Sequence, residues 1–260
     1  MRTRWCVSTR TRPRAATTPL RWYARGVRFF VALALLAGCD ALWGLRRLDP
    51  ASDGPSDGAL APDAACQPQI IHDDFTGTKL CGNWGIPSGL AATEGGGMFV
   101  IAPQPNTGGS QGGCFAAAPV AFGDDGLFIE VTSVLAQQGD GQGGSYMFFT
   151  IHTPTPADAV TLQISLGGNH LSALTPDNAT TGTVPYDPAQ MKWWRLRPDR
   201  ALPGVVADVS ANGFVWQTLG QVAGTVPASV IVEFTAGTYG TGLPDPGEAI
   251  LENFNVCPSP

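Results

Sequence analysis

The chain carries little charge: 14% of its 260 residues are charged, with 15 lysines and arginines against 21 acids. Bases are scarcer still over most of its length. Eight of the 15, all arginine, lie within residues 1–28, where there is no acid; from Cys39 onward seven bases face all 21 acids, a net charge of −14. A surface so acidic repels phosphate backbones and excludes nucleic acid as a partner. The chain has no run of the roughly 20 apolar residues that a membrane-spanning helix requires. It has no Cys-x-x-Cys pair of the kind that holds zinc, no internal repeat, and no segment that reads as a helix. What it has in quantity is glycine, 33 residues, and proline, 22, a composition suited to short strands and tight turns.

The arginine-rich head runs into Phe29-Phe30-Val31-Ala32-Leu33-Ala34-Leu35-Leu36, followed by the small residues Ala37 and Gly38. A basic head, a short apolar run and small residues before a cut site are the parts of a secretory signal. The run ends in Leu36-Ala37-Gly38-Cys39, which resembles the lipobox of bacterial lipoproteins. The resemblance implies that residues 1–38 are removed and that the Cys39 thiolate carries a covalent lipid. Several acyl chains exceed the two signals that stable anchoring needs. A membrane is then a partner through the anchor, and the cell envelope is the expected location. The outer membrane or cell surface is favoured, with the inner membrane as the alternative because an acid, Asp40, follows the anchor. Residues 39–65, rich in Pro, Asp, Ser, Gly and Ala, hold too few apolar residues for a core and read as a disordered tether, spanning roughly 30 Å as a flexible coil.

Residues 66–260 read as one domain. Apolar runs, alternating or continuous, recur between turn residues over Gln69–Phe75, Leu90–Glu94, Met98–Ala102, Cys114–Ala118, Leu127–Leu135, Tyr146–His152, Val160–Leu166, His170–Leu174, Lys192–Arg197, Val205–Ser210, Trp216–Val222, Val230–Ala236 and Ala249–Val256. Gly95-Gly96-Gly97 and Asn212-Gly213 read as hairpin turns. Short strands without helices imply an all-β domain, two sheets packed face to face. With Cys6 and Cys39 set aside, Cys66, Cys81, Cys114 and Cys257 form an even set, as disulfides in an oxidising compartment require; three pairings are open.

The second half of the domain reads Tyr186-Asp187-Pro188, Lys192-Trp193-Trp194-Arg195-Leu196-Arg197, Ser210-Ala211-Asn212-Gly213 with Trp216, Ala236-Gly237-Thr238-Tyr239, and Glu252-Asn253-Phe254-Asn255. Together with Asp73-Asp74-Phe75 near the start, this resembles bacterial domains of the concanavalin-like lectin/glucanase superfamily, with Glu252 where the family more often has Asp. The similarity is carried by residues 184–256. It implies a concanavalin-like jelly-roll β-sandwich of two antiparallel sheets, one of them bearing a ligand groove. Sandwiches of this kind place their first and last strands side by side, which favours Cys66–Cys257 and leaves Cys81 with Cys114.

Strand alternation suggests which side chains face such a groove. If Leu127, Ile129 and Val131, Met147, Phe149 and Ile151, Val160, Leu162 and Ile164, and Trp194 and Leu196 enter the core, the other face presents Glu130, Thr132, Tyr146, Phe148, His152, Thr161, Gln163, Trp193, Arg195 and Arg197. Rings, amides and charged groups of this kind bind sugars, so a glycan or polysaccharide is the expected ligand. The alternative is a structural or adhesive surface protein, its face closed by loops and Arg195 paired to Asp208 across a hairpin. A glycoside hydrolase is disfavoured: hydrolysis takes two placed carboxyl groups, and where the superfamily's glucanases carry Glu-x-Asp-x-(x)-Glu this chain has Glu130-Val131-Thr132-Ser133-Val134-Leu135, with one. No cofactor is required. Asp73, Asp74 and Glu252, on the first and last strands, would offer hard oxygen ligands to a structural calcium.

Overall fold

The structure, a computed structural model, describes residues 71–136, 143–154, 160–175, 177–199 and 201–258. The expected signal (1–38), the tether (39–65) with Cys39, and Cys66 lie outside the described residues. Within them the chain forms β1 (Gly85–Gly89), β2 (Ala92–Gly95), β3 (Met98–Ile101), β4 (Gln111–Ala116), β5 (Val120–Ala121), β6 (Leu127–Ser133), β7 (Gly143–His152), β8 (Val160–Gly167), β9 (His170–Leu174), β10 (Thr180–Pro185), β11 (Trp193–Pro198), β12 (Gly204–Ser210), β13 (Gln217–Ala223), β14 (Ser229–Gly240) and β15 (Ala249–Glu252).

These strands make two antiparallel sheets. One has eight strands, ordered β1-β4-β14-β7-β8-β9-β10 with β5 beside β14; the other has seven, ordered β13-β12-β11-β6-β15-β3-β2. Alternation decides what lies between them. Phe149 and Ile151 from β7, Leu162 and Ile164 from β8, and Phe234 from β14 meet Leu127 and Ile129 from β6 and Trp194 and Leu196 from β11, all 2% exposed or less. The result is the β-sandwich of two antiparallel sheets that the sequence implies.

Twelve of the thirteen expected segments contain a strand. The opening one, within its described part, is reduced to a single bridge in which Asp73 N–H donates to Phe254 O at 2.8 Å and Phe254 N–H to Asp73 O at 2.9 Å. The side chain of Asp73 explains why it stops there. Its Oδ1 accepts the Phe75 N–H at 2.9 Å, and Phe75 takes a left-handed φ of 52° that ends extended pairing. The sequence misses β1 and β10, the two edges of the eight-stranded sheet, where neither GIPSG nor TTGTVP alternates clearly. It also misses the two-residue β5.

Gly96 and Gly97 do form the expected two-residue hairpin turn between β2 and β3, with φ of 66° and 86°. Asn212-Gly213 does not. Residues 211–216 make a wider connection, in which Ser210 Oγ accepts the Asn212 and Gly213 N–H groups at 3.2 and 2.9 Å. Asn212 Oδ1 in turn accepts those of Phe214 and Val215, both at 3.0 Å. Two polar side chains at the start of the turn, Ser210 and Asn212, compete with the tight hairpin.

Cys81 and Cys114 are bridged, tying the segment before β1 to β4. Closing their 33-residue separation contributes about 3–4 kcal/mol in the loop-entropy description. Cys257 is also disulfide-bonded; its expected partner, Cys66, lies outside the described residues.

Candidate functional site

The residues expected to share one face are divided between two. Glu130 on β6 and Trp193, Arg195 and Arg197 on β11 point outward from the seven-stranded sheet, whereas Tyr146 and His152 on β7 and Gln163 on β8 point outward from the eight-stranded one. These are opposite surfaces of the sandwich. Parity separates inside from outside but does not say which outside.

The seven-stranded face is closed. Trp193 is 4% exposed, and Gly213 and Pro258 pack beside it: a Cβ at Gly213 would lie 3.2 Å from Trp193 Cδ2 and 2.4 Å from Pro258 Cγ. Arg195 lies over the Trp216 ring at 4.0 Å and donates to Asp208 Oδ2 through Nε at 3.1 Å and Nη2 at 2.9 Å. The pairing of Arg195 with Asp208 across the β11–β12 hairpin is therefore present, as the closed alternative expected. Arg197 Nε adds a third bond to the same oxygen at 2.6 Å, and Thr218 Oγ1 donates to Oδ1 at 3.0 Å. Glu130 is buried and bonded to Lys192 Nζ and Asn253 Nδ2, each at 2.5 Å. Every polar group expected to receive a sugar here is spent on a neighbour.

The expected calcium ligands do not assemble either. Among the described residues no group of three His, Cys, Asp or Glu side chains could hold a metal ion. Asp73 folds the opening segment: besides Phe75 N–H it accepts Trp84 Nε1–H at 2.9 Å. Asp74 accepts the N–H and hydroxyl of Thr76, at 3.1 and 2.7 Å, which hold its carboxyl below the ordinary value. Glu252 accepts the Thr132 hydroxyl at 3.2 Å on the seven-stranded face. The carboxylate that does come near Asp73 is Glu94, whose pKa is raised by burial and then by the charge of Asp73; its Oε2 accepts the Cys81 N–H at 2.7 Å. Asp73, Asp74 and Glu94 line a cavity of about 960 Å³ between residues 71–84 and 117–121.

The eight-stranded face has a different character. Tyr146 and Phe148 stack, ring centroids 4.7 Å apart at 24°, and both remain half-buried. Room for them comes from glycine on β14: a Cβ at Gly237 would lie 2.9 Å from the Tyr146 hydroxyl. That hydroxyl donates to Gln111 Oε1 on β4 at 2.5 Å. Two rungs along, Glu233 pairs with Thr150, and Thr150 with Gln163, the two side chains of the latter pair bonded at 3.3 Å. Glu233 is held from both sides, by His152 Nε2 on Oε2 at 3.0 Å and the Thr235 hydroxyl on Oε1 at 2.9 Å. Burial raises its pKa, but these hydrogen bonds outweigh burial and leave it below the ordinary carboxylate value. His152 is 8% exposed, with its ring centroid 5.8 Å from that of Phe115. The outcome is a shelf of rings beside a row of amides, hydroxyls and one fixed carboxylate. Sequence reasoning named Tyr146, Phe148, His152 and Gln163 but not Glu233 or Gln111. The signal for Glu233 was available, since Val230, Val232, Phe234 and Ala236 alternate inward and leave Glu233 and Thr235 outside.

No protein-family model matches the chain, and no curated protein does. Solved structures of similar fold include the Ca²⁺-bound exoplasmic/lumenal domain of VIP36, 11% identical with a TM-score of 0.46, covering 72% of this chain and 90% of that one. The carbohydrate recognition domain of Emp47p is 14% identical with a TM-score of 0.48, covering 70% and 92%. At these identities the likeness extends to the fold alone.

Proposed function

We propose that this is a lipid-anchored, non-catalytic glycan-binding protein of the cell envelope, with its binding surface on the outer face of the eight-stranded sheet. The observation that supports binding is the stacked Tyr146–Phe148 pair beside Gln111, Glu233 and Gln163. Aromatic faces pack on sugar C–H surfaces, and the amides and carboxylate answer the hydroxyls. On a panel of immobilised polysaccharides the purified chain is expected to retain a subset. Phe148→Ala should weaken that retention about tenfold or more, equivalent to roughly 1.4 kcal/mol. Phe214→Ser, on the loop beside the opposite sheet, should leave it unchanged. Equal retention by all three proteins would sink this placement of the site.

The anchor rests on the sequence from Phe29 to Cys39. In a bacterial host, labelled palmitate should enter the wild-type chain, and Cys39→Ser should abolish both the label and membrane retention. A serine variant that fractionates with membranes as firmly as wild type would refute the anchor.

A further inference from the structure

We infer that the sugar held on this face is uncharged, and that Glu233, fixed by His152, selects against glycans bearing carboxylate or sulfate. This rests on the proposed glycan reading and narrows it. Glu233 is the acid of its row, and its side chain keeps 27% of its surface exposed, so it can accept hydroxyl donors from a ligand as well as those it already has. Among the described residues the strands of the eight-stranded sheet bear no lysine or arginine. The described bases lie elsewhere: Lys79 before β1, and Lys192, Arg195 and Arg197 on or next to β11, occupied with Glu130 and Asp208. An anionic sugar on the ring shelf would meet a carboxylate with no lysine or arginine beside it to offset the charge.

The way His152 is spent supports a fixed, functional carboxylate. Its imidazole is largely buried, with Nε2 on Glu233 and Nδ1 buried without a hydrogen-bond partner. The carboxylate cannot donate, so Nε2 carries the hydrogen and Nδ1 is left unanswered, an arrangement that costs stability. What it provides is a carboxylate with one orientation. Such an acceptor suits adjacent sugar hydroxyls, because charge-assisted hydrogen bonds are shorter and stronger than neutral ones.

The test compares neutral glucan, mannan and galactan with polygalacturonate, alginate and a sulfated galactan by affinity electrophoresis of the purified full chain. At least one neutral polymer should retard the wild-type protein, and each acidic polymer should do so at least tenfold more weakly. Glu233→Gln, nearly isosteric and checked for an unchanged circular dichroism spectrum, should weaken the neutral interaction about tenfold and narrow the gap between neutral and acidic polymers. Acidic polymers bound as well as neutral ones, or Glu233→Gln with unchanged affinity and selectivity, would overturn the inference while leaving a glycan-binding face in place. Retardation by none of the six would overturn the glycan reading itself.

Discussion

Replacing Asp208 with alanine is expected to cost the domain about 3–5 kcal/mol, the range for breaking a buried ion pair from one side. The side chain of Asp208 is 1% exposed, and it receives four hydrogen bonds of 3.1 Å or shorter: two from Arg195, one from Arg197 and one from Thr218. Truncation leaves two guanidinium groups side by side, 18% and 25% exposed, with their shared anion gone. Attraction becomes repulsion in a site with limited access to water. For a domain of this size the loss corresponds to a fall in melting temperature of roughly 6–20 °C. Asp208→Asn should cost less, since an amide oxygen can still accept from Thr218. Calorimetry of the two variants beside Glu233→Ala gives a direct comparison: the Glu233 carboxylate is more exposed and should cost much less to remove. If Asp208→Ala melted within 2 °C of wild type, the closed face would not be a structural one.

That comparison bears on what the sequence could reveal. Inside and outside were legible. Leu127, Ile129 and Val131, Met147, Phe149 and Ile151, Leu162 and Ile164, and Trp194 and Leu196 are all buried, as a period of two demands. The pairing of Arg195 with Asp208 was legible too, because a hairpin sets its own register. The allegiance of each strand to a sheet was not. β6 and β7 follow one another in the chain, yet β6 pairs with β11 and β15 while β7 pairs with β14 and β8. Apart from β8, those partners lie far along the sequence, and nothing local to Glu130 or Tyr146 says that their strands part company. The acids of the opening and closing motifs were misread for a related reason. Asp73 fastens the opening segment, accepting the Phe75 N–H and the Trp84 Nε1–H at 2.9 Å each, and Glu252 accepts the Thr132 hydroxyl at 3.2 Å. A carboxylate spent on neighbouring N–H and hydroxyl groups looks, in sequence, the same as one kept for a metal.

The same fastening places the second large effect at Phe234, where alanine is expected to cost about 3–5 kcal/mol as a cavity in a packed core. Phe234 is 2% exposed on β14, between β4 and β7. Its ring meets those of Phe99 at 5.1 Å, Trp84 at 5.8 Å, Phe254 at 6.0 Å and Phe75 at 6.2 Å. Aromatic pairs add roughly 0.5–1.5 kcal/mol beyond their area, so the loss should fall in the upper part of that range. Where it falls matters as much as its size. Phe75 belongs to the opening motif and Phe254 to the closing one, and both rest on this ring, with Phe75 held in a left-handed backbone that packing must stabilise. Phe234→Ala should therefore loosen the bridge between Asp73 and Phe254 before the sheets themselves separate. Hydrogen exchange at the Asp73 and Phe254 amides should speed up more than at Phe149 or Trp194. Trp84→Phe, which removes the bond to Asp73 while keeping a ring in the cluster, should give a weaker form of the same pattern. Uniform acceleration across both sheets would mean that the ring is ordinary filling, and that the motifs at the two ends of the chain are held by something else.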